Sequence, residues 1–171
     1  MTDTFRPMRR KRQELSREIC EEILNNATYG VLAVLGDNGY PYGVPINYVY
    51  RDGKFYFHTA VAGHKVDAMR NCDKVSLTVV DKDDVVKEEY TTYFRSVIAF
   101  GRVRFIEDEA EKRQTLTWLA DRFYPGHPEA REKEIAKGFN HLHMIEMTVD
   151  HITGKEAIEL VRSRKAAEGQ Q

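Results

Sequence analysis

The chain has 171 residues, with 26 Lys and Arg against 27 Asp and Glu and an apolar share of 42%. That is enough chain for one domain with a sizeable core, and the formal net charge of -1 argues against a dedicated nucleic-acid binder, which carries a basic excess. No apolar run approaches the ~20 residues of a membrane span, and the basic start MTDTFRPMRRKRQ is followed by no apolar signal core. Cys20 and Cys72 fit no zinc or redox spacing and suit a reducing cytoplasm.

Residues 1–15 read as a basic N-terminal arm carrying Arg6, Arg9, Arg10, Lys11 and Arg12. A partly ordered arm is the plain reading, and a nucleic-acid or anionic-lipid contact the sharper one. Ser16 is placed to cap a helix whose apolar face is Ile19, Cys20, Ile23 and Leu24. From Tyr29 the period changes to strands. Residues 29–36 form the first, Asp37-Asn38-Gly39 a turn, and residues 42–50 the return strand. Pro45 lies inside that strand and cannot donate to a ladder, so it marks an edge, a bulge or a ligand-facing position. A second turn, 51–54, leads into the strand 54–58.

The stretch 55–71, FYFHTAVAGHKVDAMRN, is the most informative. A strand ends in Thr59 and a small-residue loop, and His64-Lys65 then opens a short helix with Val66 and Met69 at helical spacing. Outward backbone N–H groups, a helix start and two potential cations are how a phosphate is held. A fourth strand covers 74–80, a charged solvated loop 81–89, and a long strand 90–106 that Gly101 interrupts at a bulge or bend. Asp108 with Glu111 resembles a capping box for a helix whose inner face is Leu116, Leu119, Ala120 and Phe123. Pro128 starts the next helix. Residues 142–149 form the last strand, 152–155 a turn, 156–165 a charged helix and 166–171 a frayed tail. The whole reads as one domain over 16–165: mainly β, six antiparallel strands in a barrel or curled sheet with flanking helices. There is no G-x-G-x-x-G and no P-loop.

An ordered set of short motifs adds a family resemblance: Gly30-Val31-Leu32-Ala33, Tyr42-Gly43-Val44-Pro45-Ile46, Phe57-His58-Thr59-Ala60 with Gly63-His64-Lys65, then Asn71, Val75-Ser76 and Ile152-Thr153-Gly154-Lys155. Together they resemble the pyridoxamine 5'-phosphate oxidase-like superfamily of FMN-binding split barrels, and within it the nitroimidazole-resistance (Nim-type) branch, over roughly residues 16–155. The resemblance implies a split β-barrel that forms a homodimer with FMN at the interface. It implies that Val44, Pro45, Ile46, Asn47 and Tyr48 run alongside the isoalloxazine ring. It places Thr59, His64 and Lys65 on the phosphate, next to Gly63 and His58, and brings Ser96 to a flavin held mainly by the partner chain. Oxidase members carry Arg-Lys where this chain has His64-Lys65, and histidine is only partly charged near neutral pH. The segment by which oxidases recognise pyridoxal phosphate has no match in VRSRKAAEGQQ, which argues against pyridoxamine phosphate oxidation.

The implied activity is NAD(P)H-dependent reduction of a nitroaromatic or similar small electron-poor acceptor, with no catalytic acid or base named because the flavin carries the chemistry. The other class is a non-enzymatic carrier or sensor, including a haem-binding one; a deazaflavin in place of FMN is a third variant. His58 reads either as a structural histidine or as a flavin or substrate contact. His141 and His143 share a face of the last strand but lack a third ligand for a metal. Trp118 and Cys72 read as packing. Tyr90, Tyr93 and Phe94 read as strand residues or as a wall over the ring.

Overall fold

A computed structural model describes residues 5–168; the first four residues of the arm and residues 169–171 of the tail lie outside it. The elements in order are α1 (Arg17–Asn26), β1 (Tyr29–Leu35), β2 (Pro41–Asn47), β3 (Val49–Arg51), β4 (Lys54–Ala60), α2 (His64–Asn71), β5 (Lys74–Val86), β6 (Thr91–Phe105), α3 (Glu109–Phe123), α4 (Pro128–Gly138), β7 (Leu142–Glu156) and α5 (Ile158–Glu168). Local chemistry sets most of the boundaries. The Ser16 hydroxyl accepts from the Ile19 amide, and the Asp108 carboxylate accepts from the Glu111 amide at 2.8 Å. Asp52 and Gly53 both take positive φ, 51° and 77°, the two-residue turn that matches the twist of a hairpin.

The strands form one antiparallel sheet of seven in the order β2-β1-β5-β6-β7-β4-β3. Its two edges, β2 and β3, are consecutive in the chain and are joined by Tyr48 alone. The sheet therefore curls until its edges are one residue apart, yet no ladder seals them. Alternate residues point inward, and Leu32, Phe55, Phe57, Leu77, Val97 and Ile145 fill the interior at 0% exposure. Each such side chain contributes about 1.5–3 kcal/mol. The α1 residues Cys20, Ile23 and Leu24 belong to this core, and the Tyr48 hydroxyl donates to the Leu24 carbonyl at 2.9 Å. A second, smaller cluster joins Tyr56 and Met144 to Leu116 and Ile135 of α3 and α4.

Several expectations are met in detail. Pro45 is on an edge strand, paired only with Val31 of β1. Gly101 lies at a register shift between β6 and β7, where an added Cβ would strike the Thr148 carbonyl oxygen. Others are corrected. Among the described residues there are seven strands rather than six, because the expected 42–50 strand breaks at Tyr48. The charged stretch 81–86 is strand rather than loop: after a bulge at Asp81 it pairs with β6 from Lys82↔Arg95 to Val86↔Thr91. The expected turn 152–155 is the end of β7, paired with β6 through Thr153↔Ile98 and Lys155↔Ser96. Gly154 is there for space, since a Cβ would strike Cys20 Sγ. His141 belongs to the 3-10 turn Phe139–His141 before β7 and does not share the strand face with His143. The last helix runs to Glu168, three residues past the expected end.

Candidate cofactor site

The site grows from the end of β4. Strand alternation sends Phe57 inward, His58 outward and Thr59 inward. Thr59 is 2% exposed and its hydroxyl has no hydrogen-bond partner among the described residues. The chain then passes Gly63, at φ 129°, a conformation that favours glycine. The Gly63 carbonyl accepts from the Val66 and Asp67 amides at 2.8 and 3.1 Å. The amides of His64 and Lys65, the first two residues of α2, are thereby left without intrahelical acceptors.

His64 and Lys65 have different surroundings. The His64 ring stacks on Tyr42, with centroids 4.3 Å apart and planes 11° apart, and its Nε2 accepts the Asp37 amide. The Asp37 carboxylate is 3.6 Å away. Lys65 makes no ion pair among the described residues, and its charge is felt at His58. Burial first, and Lys65 second, hold the His58 imidazole below its ordinary pKa.

His58 is accessible, but along the wall of a cleft rather than on an open surface. This cleft, about 420 Å³, is lined by Asn47 and His58 from the sheet, Leu116, Leu119, Ala120 and Phe123 from α3, Arg131, Glu134, Ile135 and Gly138 from α4, and Leu142. Its volume and mostly apolar walls with a few polar groups are those of a small-molecule site. Asn47 and His58 come from β2 and β4, beside the unsealed edges of the sheet. Asn47 also donates from Nδ2 to the Thr28 carbonyl at 2.8 Å, which fixes its orientation.

His58, Thr59, Gly63, His64 and Lys65 follow one another from the end of β4 into α2; Asn47 meets His58 on the cleft wall, whereas His64 packs on Tyr42 toward the other end of β2. Pro45 is exposed on the outer face of β2, while Val44 and Ile46 point inward and pack on the core. Tyr48 is fully buried, so only its backbone faces the seam. Ser96 is on β6, opposite Val80 and Lys155, and is not on the cleft wall. Sequence reasoning missed the α3 and α4 walls as site residues, because a lining leucine and a packing leucine carry the same periodic signal. Trp118 packs edge-on to Tyr56 at 5.3 Å, away from the cleft wall. His143 lies opposite Thr59, edge-on to Phe105, with its Nε2 3.4 Å from Arg70. Among the described residues no cluster of His, Cys, Asp and Glu could hold a metal ion, and no helix is long and apolar enough to cross a membrane.

Residues 16–156 match the family of pyridoxamine 5'-phosphate oxidase. The chain belongs to that family. No curated protein matches it. Among solved structures it is similar to a candidate 5-nitroimidazole antibiotic resistance protein from Bacteroides thetaiotaomicron, at 24% identity and TM-score 0.67, covering 83% of this chain and 85% of that one. It is also similar to the flavocytochrome Anf3 from Azotobacter vinelandii, at 23% identity and TM-score 0.74, covering 91% and 74%. A third is the FAD and haem binding protein from Mycobacterium smegmatis, at 22% identity and TM-score 0.70, covering 85% and 73%. At these identities the likeness is one of fold, and the fold is the family's split barrel.

Proposed function

We propose that the protein is an FMN-binding flavoprotein that dimerises with the cofactor at the interface and acts as a cytoplasmic, NAD(P)H-dependent oxidoreductase on a small electron-poor acceptor such as a nitroaromatic. The observation that carries the cofactor reading is the Thr59 hydroxyl. An unmade hydrogen bond on a buried hydroxyl costs about 1–3 kcal/mol. This one sits at the strand end that leads into the His64 and Lys65 amides, which have no intrahelical acceptor, and the Lys65 ammonium, which makes no ion pair among the described residues. A phosphate monoester offers acceptors for all of them. The mostly apolar cleft on the His58 side of β4 suits a flat tricyclic ring, with Asn47, His58, Arg131 and Glu134 as the polar contacts. A bound flavin would supply the hydride and electron transfer, and the protein supplies position and electrostatics.

The three fold neighbours named for nitroimidazole resistance, a flavocytochrome and FAD with haem support the class of cofactor and acceptor. The dimer is supported by the outer sheet face. Pro45, Val31, Thr78 and Ile98 stand side by side across four strands, and Tyr29, Leu35 and Val80 nearby are more than half exposed. The unbridged Cys20 and Cys72 fit a reducing compartment.

Titrating the purified protein with FMN tests the cofactor. Bound flavin absorbance is expected, and Lys65→Ala should weaken it about tenfold to a hundredfold, the worth of a charge-assisted contact of ~1.5–3 kcal/mol. A Soret band would point to haem instead, mass spectrometry of the released cofactor separates FMN from a deazaflavin, and a protein still colourless after FMN addition overturns the reading. A bound flavin that NAD(P)H never bleaches anaerobically, with acceptor present, removes the reductase activity. Light scattering decides the dimer.

A further inference from the structure

The basic arm folds into a site of its own. Residues 5–13 read FRPMRRKRQ, with five cations and no acid. The end of the arm is fastened to the barrel. The Leu15 amide donates to the Gly154 carbonyl at 2.9 Å, and the Gln13 side chain, 5% exposed, donates to the Glu156 carbonyl at 3.0 Å. The 3-10 turn Lys11–Gln13 thereby lies against α5. Between them is a concave pocket of about 500 Å³, walled by Arg9, Arg10, Lys11, Arg12 and Gln13 with Ile158 on its floor.

These cations differ from most others in the molecule. Arg17 pairs with Glu21, Arg95 with Glu156, Arg104 with Glu146, Arg113 with Glu132 and Arg131 with Asp121. Among the described residues, Arg9, Arg10, Lys11 and Arg12 have no carboxylate within ion-pair distance. Among the described residues the one side-chain hydrogen bond in the group is Arg10 to Gln13 Oε1 at 3.5 Å. Glu14, two residues after Arg12, and Glu159, next to Ile158, pair with none of them. Four like charges in consecutive residues, 9–12, running into one anchored turn repel one another, and a multivalent anion relieves that repulsion.

We propose that this pocket binds the phosphate or diphosphate group of a small ligand, at a place distinct from the Thr59–Lys65 region. The proposal does not rest on the flavin reading. An open concavity of about 500 Å³ with Ile158 in its lining matches a small ligand in size, and the chain's net charge of -1 gives no broad basic field along which a nucleic acid could lie.

Calorimetric titration of the full chain with inorganic pyrophosphate is the test. Binding is expected, and the double variant Arg9→Gln/Arg12→Gln should weaken it tenfold or more with an unchanged melting midpoint, while Lys65→Ala leaves this binding in place. Titrations with NADPH and NADH separate the sources of the phosphate. A preference for NADPH that the double variant abolishes identifies a nucleotide 2'-phosphate. Equal binding of the two identifies the diphosphate bridge they share, and pyrophosphate binding with neither nucleotide bound identifies a free polyphosphate. Pyrophosphate affinity that the double variant leaves unchanged would overturn the proposal. So would an arm that binds an oligonucleotide or an anionic vesicle but not pyrophosphate.

Discussion

The Nε2 atom of His64 accepts the backbone N–H of Asp37 at 3.1 Å, which ties the start of α2 to the β1–β2 hairpin. To accept, the ring must be neutral at Nε2, with its proton on Nδ1. Arginine has no acceptor and cannot replace this contact. His64→Arg should therefore lose about 0.5–1 kcal/mol of stability while gaining a permanent charge beside the proposed phosphate position. A lower melting midpoint together with tighter FMN binding is the expected pair of results. Tighter binding with no loss of stability would show that the Asp37 contact contributes nothing to the fold.

His58 links the two ends of the candidate site. Its pKa is depressed, so the folded chain keeps the ring neutral where the unfolded chain has begun to protonate. Its contribution to stability is intact above pH 6.5 and is lost as pH falls below that value. Burial is the larger cause and Lys65 the smaller. Lys65→Ala should thus move the His58 titration, followed by NMR of the imidazole, partway back toward 6.5. An unmoved titration would separate the lysine from the cleft.

Glu146 is 4% exposed, held by Arg104 at 3.0 Å and Lys54 at 3.1 Å. Burial pushes its pKa up, but the hydrogen bonds and charges of Arg104 and Lys54 outweigh burial and leave it below 4.5. The stability it contributes is present above pH 4.5 and falls away as pH drops through the lower folded value. Glu146→Gln removes this titration, so its melting midpoint should fall less steeply than the native protein's below pH 4.5.

Burial pushes the Cys20 thiol up to about 11. Iodoacetamide at pH 8 should therefore modify the more accessible Cys72 and spare Cys20, which peptide mapping by mass spectrometry reads directly.

Gly154→Ala drives a methyl group into Cys20 Sγ and to 2.9 Å from Leu15 Cβ. Overpacking of this kind costs about 1–3 kcal/mol. The double variant Gly154→Ala/Cys20→Ala should recover part of the lost melting temperature. No recovery would place the strain in the backbone instead.

Local chemistry was legible in the sequence where a single residue decides the structure. Ser16 and Asp108 capped the helices expected of them, Asn38-Gly39 turned the first hairpin, and Gly101 marked the bulge. Long-range pairing was not legible. Asp81 to Val86 looks like a solvated loop because its charges suit water, and it is a strand because β6 lies opposite with Arg95 reaching Asp81 at 3.5 Å. Thr153-Gly154 looks like a turn because glycine so often makes one; here it admits α1. For the candidate site, the strand end and helix start were readable as contiguous residues 58–65. The cleft was not, since most of its walls come from α3 and α4, more than fifty residues away in the chain.

Tyr48 joins the two edges of the sheet as one buried residue, so chain length rather than hydrogen bonding fixes how far the barrel gapes. The seam behaves as a ruler one residue long. Lengthening it by a single residue on the β2 side of Tyr48 would leave every ladder intact and yet change the gap between the Asn47 and His58 walls. The width of the cleft is thus written in the covalent chain, and evolution can adjust it there without repacking the core.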